Sequence, residues 1–201
     1  EPLLRQLVRE AADESFNCIT VDGDTSTNDS FILIATGQSG AAFDDASASG
    51  YAKLREAVIG VARELAQAIV RDGEGATKLI EVVAENAPTE EDAYKIVCAI
   101  AKSPLVKTAV FGEDANWGRI FTAAGYSGAK FNPDLTDIYL GDLMVCCNGV
   151  AVPFDEAEAA RILHEKEIKI RVDLKSGNFS DRMWTCDFSY DYVKINGSYR
   201  S

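Results

Sequence analysis

The chain has 201 residues, 47% of them hydrophobic and 26% charged, the composition of an ordinary soluble globular protein with one large domain or two small ones. Thirty-two acidic against twenty basic residues give a formal net charge of -12, which argues against nucleic acid as a partner, since phosphate affinity depends on Lys and Arg. No uncharged apolar run reaches the roughly 18 to 20 residues of a bilayer-spanning helix, so no membrane partner and a cytoplasmic location are expected. The five cysteines, Cys18, Cys98, Cys146, Cys147 and Cys186, have neither CxxC spacing nor the density of a disulfide scaffold and are expected to be reduced thiols.

The first residue is Glu, and Leu3, Leu4, Leu7, Val8 and Ala11 already share one helical face, so the chain is expected to be a processed or truncated piece. The helix runs to about Glu14, and Phe16 to Val21 reads as a strand ended by the polar segment Asp22 to Asp29. Phe31 to Thr36 reads as a buried strand and Gly37 to Gly50 as a loop. Tyr51 to Arg71 predicts a long helix with Leu54, Val58, Val61, Leu65, Ala68 and Ile69 on its apolar face, ended by Gly73 and Gly75. Leu79 to Glu85 predicts a strand, and Thr89 with Asp92 three residues on predicts a capped helix to about Lys102. Val106 to Phe111 reads as a strand, and Asn116 as the N-cap of a helix through Ile120 to Ala124. Further strands are predicted at Asp137 to Leu140, Leu143 to Cys147 and Ile168 to Leu174, a helix at Asp155 to His164, and one or two strands between Met183 and Ile195. Paired strands with two long helices point to an α+β fold, a mixed or antiparallel sheet covered by helices. No linker interrupts residues 1–201, so a single unit is expected, with a smaller C-terminal subdomain from about residue 130 as its one internal division.

Three segments invite chemistry. Asp22 to Asp29 concentrates short polar side chains. As an EF-hand loop it would need Gly and Glu where Thr27 and Leu33 stand, which removes that reading. Asp22-Gly-Asp24 after a strand also suggests a metal-dependent phosphatase in which one Asp is the nucleophile and the other a general acid, against a plain Asx-rich turn. In Asp72-Gly-Glu-Gly-Ala-Thr-Lys78, the glycines either end a helix in a turn or leave Glu74 on a backbone open to close approach by an amine-bearing small molecule. In Asp114-Ala-Asn-Trp-Gly-Arg119, Trp117 reads as core, and Arg119 either meets a ligand or pairs with a carboxylate. His164, the single histidine, sits among Glu165, Lys166 and Glu167 and reads as solvated. With one histidine, Ser-His-Asp and Cys-His arrangements and the usual zinc sites can hardly be assembled.

Taken together, Ile19 to Asp29, Asp72 to Lys78, Val106 to Val110 followed by Asp114 to Arg119, and Tyr190 to Asn196 with Ser-Tyr-Arg-Ser201 strongly resemble the ornithine acetyltransferases (glutamate N-acetyltransferases) of arginine biosynthesis, over nearly the whole chain. The piece resembles the β subunit of that family, in which a precursor cuts itself ahead of a Thr that becomes the acetyl-carrying nucleophile. The resemblance therefore implies that no catalytic residue lies in this chain and that the nucleophilic Thr lies upstream of Glu1. It implies a layered sandwich of sheets covered by helices, resembling the N-terminal nucleophile hydrolases with a different strand connection. It further implies an α chain from the same precursor as partner, in a heterotetramer of two α and two β chains or larger. N-acetylornithine and glutamate are the implied substrates, with no metal and no cofactor, and acetyl-CoA as a conceivable second donor. Glu74, Asn196 and Ser201 are the implied substrate-binding residues; Ser201 stands where the family has Thr. An N-terminal Thr uses its own α-amine as general base, which suits a chain with one exposed histidine. The alternatives are the phosphatase on Asp22 and Asp24 and a non-catalytic relative.

Overall fold

The computed structural model describes residues 1–198. Helix α1 spans Pro2–Asp13 with Leu7 and Ala11 buried. The strand expected from Phe16 is instead a short 3-10 segment, Phe16–Cys18, because the chain turns straight out of α1: the Ser15 hydroxyl donates to the Ala11 carbonyl, and Cys18 N donates to Ser15 O at 2.9 Å. Phe31 to Thr36 is a second correction. It forms no strand, and Ile32 and Ile34 are 72% and 76% exposed. Its apolar run has strand composition without a ladder partner among the described residues, and composition does not supply a partner.

Helix α2 is Tyr51–Arg71, as predicted. Its buried face is not the expected one: Ile59, Ala62 and Ala66 are buried, whereas Leu54, Val61, Leu65 and Ile69 are exposed. Strand β1 is Leu79–Ala87 and α3 is Glu90–Ala101, with Thr89 accepting from Asp92 N at 3.1 Å as its N-cap. Helix α4, Pro104–Phe111, replaces the strand expected at Val106. Ser103 accepts from Val106 N at 3.4 Å and Pro104 stands at the first helical position, where its missing N–H costs nothing. These start signals, with Val106 and Val110 buried one helical turn apart, override the β preference of the valines. Helix α5 is Trp117–Gly125, capped by Asn116 as predicted. Strands β2, Asp137–Leu140, β3, Leu143–Cys147, and β4, Val150–Ala151, precede α6, Glu156–His164, which Asp155 caps. Strands β5, Glu167–Asp173, and β6, Phe179–Cys186, follow. The further strand expected towards Ile195 is instead helix α7, Tyr190–Gly197, because Ser189 turns the chain and accepts from Asp191 N at 3.2 Å.

The strands form one six-stranded sheet in the order β4-β3-β2-β5-β1-β6. Only β1 and β5 run parallel, with Val82 opposite Ile170; the other pairs are antiparallel. The mixed sheet and its helices are the expected α+β class. Ile80, Val82 and Ala84 alternate along β1 towards a core completed by Ala93, Ile96, Val97 and Ile100 of α3, a helical spacing that lays this helix on β1 and β6. Burying each such Val or Ile contributes about 1.5–3 kcal/mol.

The chain divides into two units, residues 1–19 with 24–69, and residues 20–23 with 70–201. In the first, Ala11, Ile59 and Ala62 are buried against Phe16, Phe31 and Val58, and Arg55 and Arg63 pair with Glu10 and Glu14. The second holds the sheet and a core that draws on residues both before and after position 130. None of the five cysteines is joined in a disulfide, and among the described residues no helix is long and apolar enough to cross a membrane.

Candidate functional site

In the second unit the segment after α2 is held by the end of β6. Asp187, almost fully buried, accepts from Thr77 N at 2.7 Å, Thr77 Oγ1 at 2.5 Å and Lys78 N at 2.8 Å. The Ser189 hydroxyl donates to the Gly75 carbonyl at 2.5 Å. Gly75 has φ +68°, and a Cβ there would stand 2.4 Å from Tyr192 N and 2.9 Å from the Asp191 carbonyl carbon. The close approach that this glycine allows is therefore to the first turn of α7, not to a ligand.

That packing places two of the three sequence-predicted binding residues side by side. Asn196 Nδ2 donates to Glu74 Oε2 at 2.7 Å and to the Tyr192 carbonyl at 3.0 Å. Both partners are acceptors, so they dictate the amide orientation and leave Asn196 Oδ1 as an acceptor beside the Glu74 carboxylate. Both residues are exposed and form an open ledge whose chemistry suits an ammonium or amide N–H donor. Ser201, the third, lies outside the described residues.

Around the ledge, the Tyr192 hydroxyl donates to Asp22 Oδ2 at 3.0 Å, and its ring stacks on Phe188 at 4.4 Å and 21°. Lys107 lies beneath, fully buried, donating to Thr185 Oγ1 at 2.7 Å and to the Cys186 carbonyl, 4.5 Å from the centre of the Phe188 ring. Burial pushes its pKa below the usual lysine range and the Cys186 thiol above the usual thiol range. Sequence reading does not place Lys107 in the interior, because Val106 to Phe111 reads as a strand; the Ser103-Pro104 start signals the helix but not the burial of this lysine.

The remaining candidates are structural. Arg119 donates to the Leu105 carbonyl at 3.0 Å, joining α5 to α4, and Trp117 packs on the core with its ring 6.3 Å from Phe121. His164 is solvated as expected, 83% exposed, with Nδ1 3.1 Å from Glu113 Oε1. Glu113 also accepts from the buried Lys78 Nζ at 2.8 Å; chiefly that contact, then His164, holds its carboxyl below the usual range. The Asp22 region resolves into local turns: Gly23 N donates to Thr20 Oγ1 at 3.0 Å, and Asn28 N to Ser26 Oγ at 3.2 Å. The strand the phosphatase reading needs is absent before Asp22, and Asp22 accepts the Tyr192 hydroxyl.

The sequence profile of the ArgJ family matches residues 1–201. The chain belongs to the ArgJ family. It is 53% identical over 198 residues to the arginine biosynthesis bifunctional protein ArgJ of Symbiobacterium thermophilum, covering 98% of this chain and 49% of that protein. The ArgJ protein of Thermotoga neapolitana is 50% identical over 100% of this chain and 52% of its own length. The mitochondrial ArgJ protein of Schizosaccharomyces japonicus is 48% identical, covering 98% of this chain and 47% of its own. The chain thus spans about half the length of these ArgJ relatives. A crystal structure of ArgJ from Bacillus halodurans superposes with a TM-score of 0.95 at 40% identity, over 99% of this chain and 94% of that one. The α+β class is therefore the ArgJ fold, and ArgJ membership replaces the phosphatase reading.

Proposed function

We propose that this chain is the β part of an acetyltransferase that moves the acetyl group from N-acetylornithine to glutamate, through an acetyl-enzyme on a Thr that precedes it in the precursor. The observation that carries the reading is the ledge. Asn196 Nδ2 donates to the Glu74 carboxylate at 2.7 Å, so the carboxylate and the amide oxygen Asn196 Oδ1 form adjacent acceptors that can receive the ammonium group that ornithine and glutamate both bring. Membership of the ArgJ family and the relatives' role in arginine biosynthesis support the reaction class. In this reading Ser201, beside the ledge in sequence, contributes a hydroxyl to the substrate carboxylate.

An open ledge binds a small molecule tightly only once other walls exclude water, so a partner is part of the proposal. The α chain from the same precursor covers the exposed Ile32 and Ile34 and the exposed face of α2, in a cytoplasmic heterotetramer of two α and two β chains or larger. The test is acetyl transfer from N-acetylornithine to glutamate by this chain co-expressed with the preceding half of the precursor. Transfer by the pair and none by the chain alone is expected; no transfer by the pair would favour a non-catalytic relative and overturn the reading. Acetyl-CoA, offered in place of N-acetylornithine in the same assay, decides whether it is a second donor.

A further inference from the structure

Lys107 is the largest fully buried side chain among the described residues. No carboxylate stands within ion-pair distance of it among those residues; its ammonium has a hydroxyl, a carbonyl, the Cys186 sulfur at 3.8 Å and an aromatic face. Desolvating an ammonium that has no direct ion pair is expensive, since Asp187 and Asp22 act on it only from beyond ion-pair distance, and a Met of similar length would fill the same space without that cost. The depression of its pKa by burial records the same expense. The contacts that Lys107 makes lead to the ledge. Phe188 is bound to it twice, by the ring under the ammonium and by Phe188 N donating to the Lys107 carbonyl at 3.3 Å. The Phe188 ring also carries Tyr192, and the Tyr192 carbonyl holds the same Asn196 nitrogen that donates to Glu74.

We propose that Lys107 is a positioning residue for the Glu74–Asn196 ledge: its ammonium fixes the Phe188 ring, on which Tyr192 rests, and thereby the turn of α7 that presents Asn196. The proposal rests on the acetyltransferase reading for its kinetic consequence and on the contacts alone for its structural one. A cation over an aromatic face in a dry interior is stronger and more directional than an aliphatic contact, which is what a rigid support for an exposed helix requires.

The test uses Lys107→Met, which keeps the stem and removes the charge, and Phe188→Leu, which removes the ring, each in the assembled precursor product. Each variant should raise KM for N-acetylornithine about three- to thirtyfold, with kcat per active site changed by no more than about twofold. The double variant should be no worse than the poorer single one, since both cut the same link. The side-chain amide resonance of Asn196 should shift in both. Unchanged KM and an unmoved Asn196 resonance, with only a lowered Tm, would reduce Lys107 to a packing residue and overturn the proposal. If Lys107→Met does not fold, Phe188→Leu decides. If the wild-type assembly transfers no acetyl group, the function reading fails separately, and the Asn196 resonance alone decides this one.

Discussion

In the second unit Ile80, Ile96, Ile138 and Ile170 are fully buried in one core shared by sheet and helices, whereas in the first unit Ile32, Ile34, Val61 and Leu65 are left largely exposed. Both regions bury apolar residues, but the first encloses only a small cluster around Ala11, Ile59 and Ala62, whereas the second encloses an extended core between sheet and helices. The candidate site follows the same line: Glu74, Asn196, Tyr192, Phe188, Lys107 and Asp22 all belong to the second unit. The lesson is that this sequence builds the support of the candidate site within the second unit and leaves apolar surface of the first unit exposed, the surface that the proposed partner would cover.

The comparison is broken most severely at Gly75. Its left-handed φ, and the 2.4 Å that would separate any Cβ at this position from Tyr192 N, leave no room for a side chain. Gly75→Ala should cost about 2–3 kcal/mol and displace α7, read by denaturant unfolding and by loss of substrate binding. A wild-type unfolding midpoint would show that α7 is not seated on this turn.

An acid titration comes next. Glu113 titrates below its ordinary range when folded, held by Lys78 first and His164 second, so the folded protein takes up its proton less readily than the unfolded chain. Its contribution is therefore complete above the unfolded value of about 4.3 and is lost as pH falls through the folded value. Glu113→Gln should lower the urea midpoint near neutral pH, where the buried Lys78 loses its carboxylate, and the gap to wild type should shrink as pH falls below the unfolded value of about 4.3 and through the lower folded value. A gap that stays constant with pH would separate Glu113 from acid stability.

The smallest effect is expected in the first unit. Ile32→Ser with Ile34→Ser should change the stability of the isolated chain by no more than about 0.5 kcal/mol, because both side chains are already exposed. The same pair should weaken association with the preceding half of the precursor, measured by size-exclusion chromatography of the co-expressed halves. Undiminished association would show that the exposed segment is not the covered one.

Much of the fold is legible in the sequence. The bounds of helix α2 match to the residue, and the caps Thr89 and Asn116 each mark a true helix start, because a short polar side chain at an N-cap is a local interaction; the helix expected from Asp155 starts one residue later, with Asp155 as its cap. Three of the four misassigned segments share a physical cause, while the fourth, Phe16 to Val21, is turned by the Ser15 contacts that follow α1. Phe31 to Thr36, Val106 to Phe111 and the chain towards Ile195 are apolar or aromatic runs whose state depends on what they pack against. Two of the three also carry helix-start signals, Ser103-Pro104 and Ser189 with Asp191, which the hydrophobic pattern masks. For the site, Glu74 is singled out by its flanking glycines and by family resemblance, Asn196 by resemblance alone, and their contact across 122 positions of sequence is visible only in the fold. Lys107 carries no sequence signal of burial, since lysine is almost never expected inside.

The central claim is that Glu74, oriented by Asn196, receives the ammonium group of the substrate, and Glu74→Gln in the co-expressed assembly tests it most directly. The substitution keeps the shape and removes the charge. The account predicts a loss of about 2 kcal/mol or more in transition-state stabilisation, roughly thirtyfold in kcat/KM for N-acetylornithine, with the assembly intact. An assembly with wild-type kcat/KM in that variant would contradict it and leave Glu74 as a turn residue.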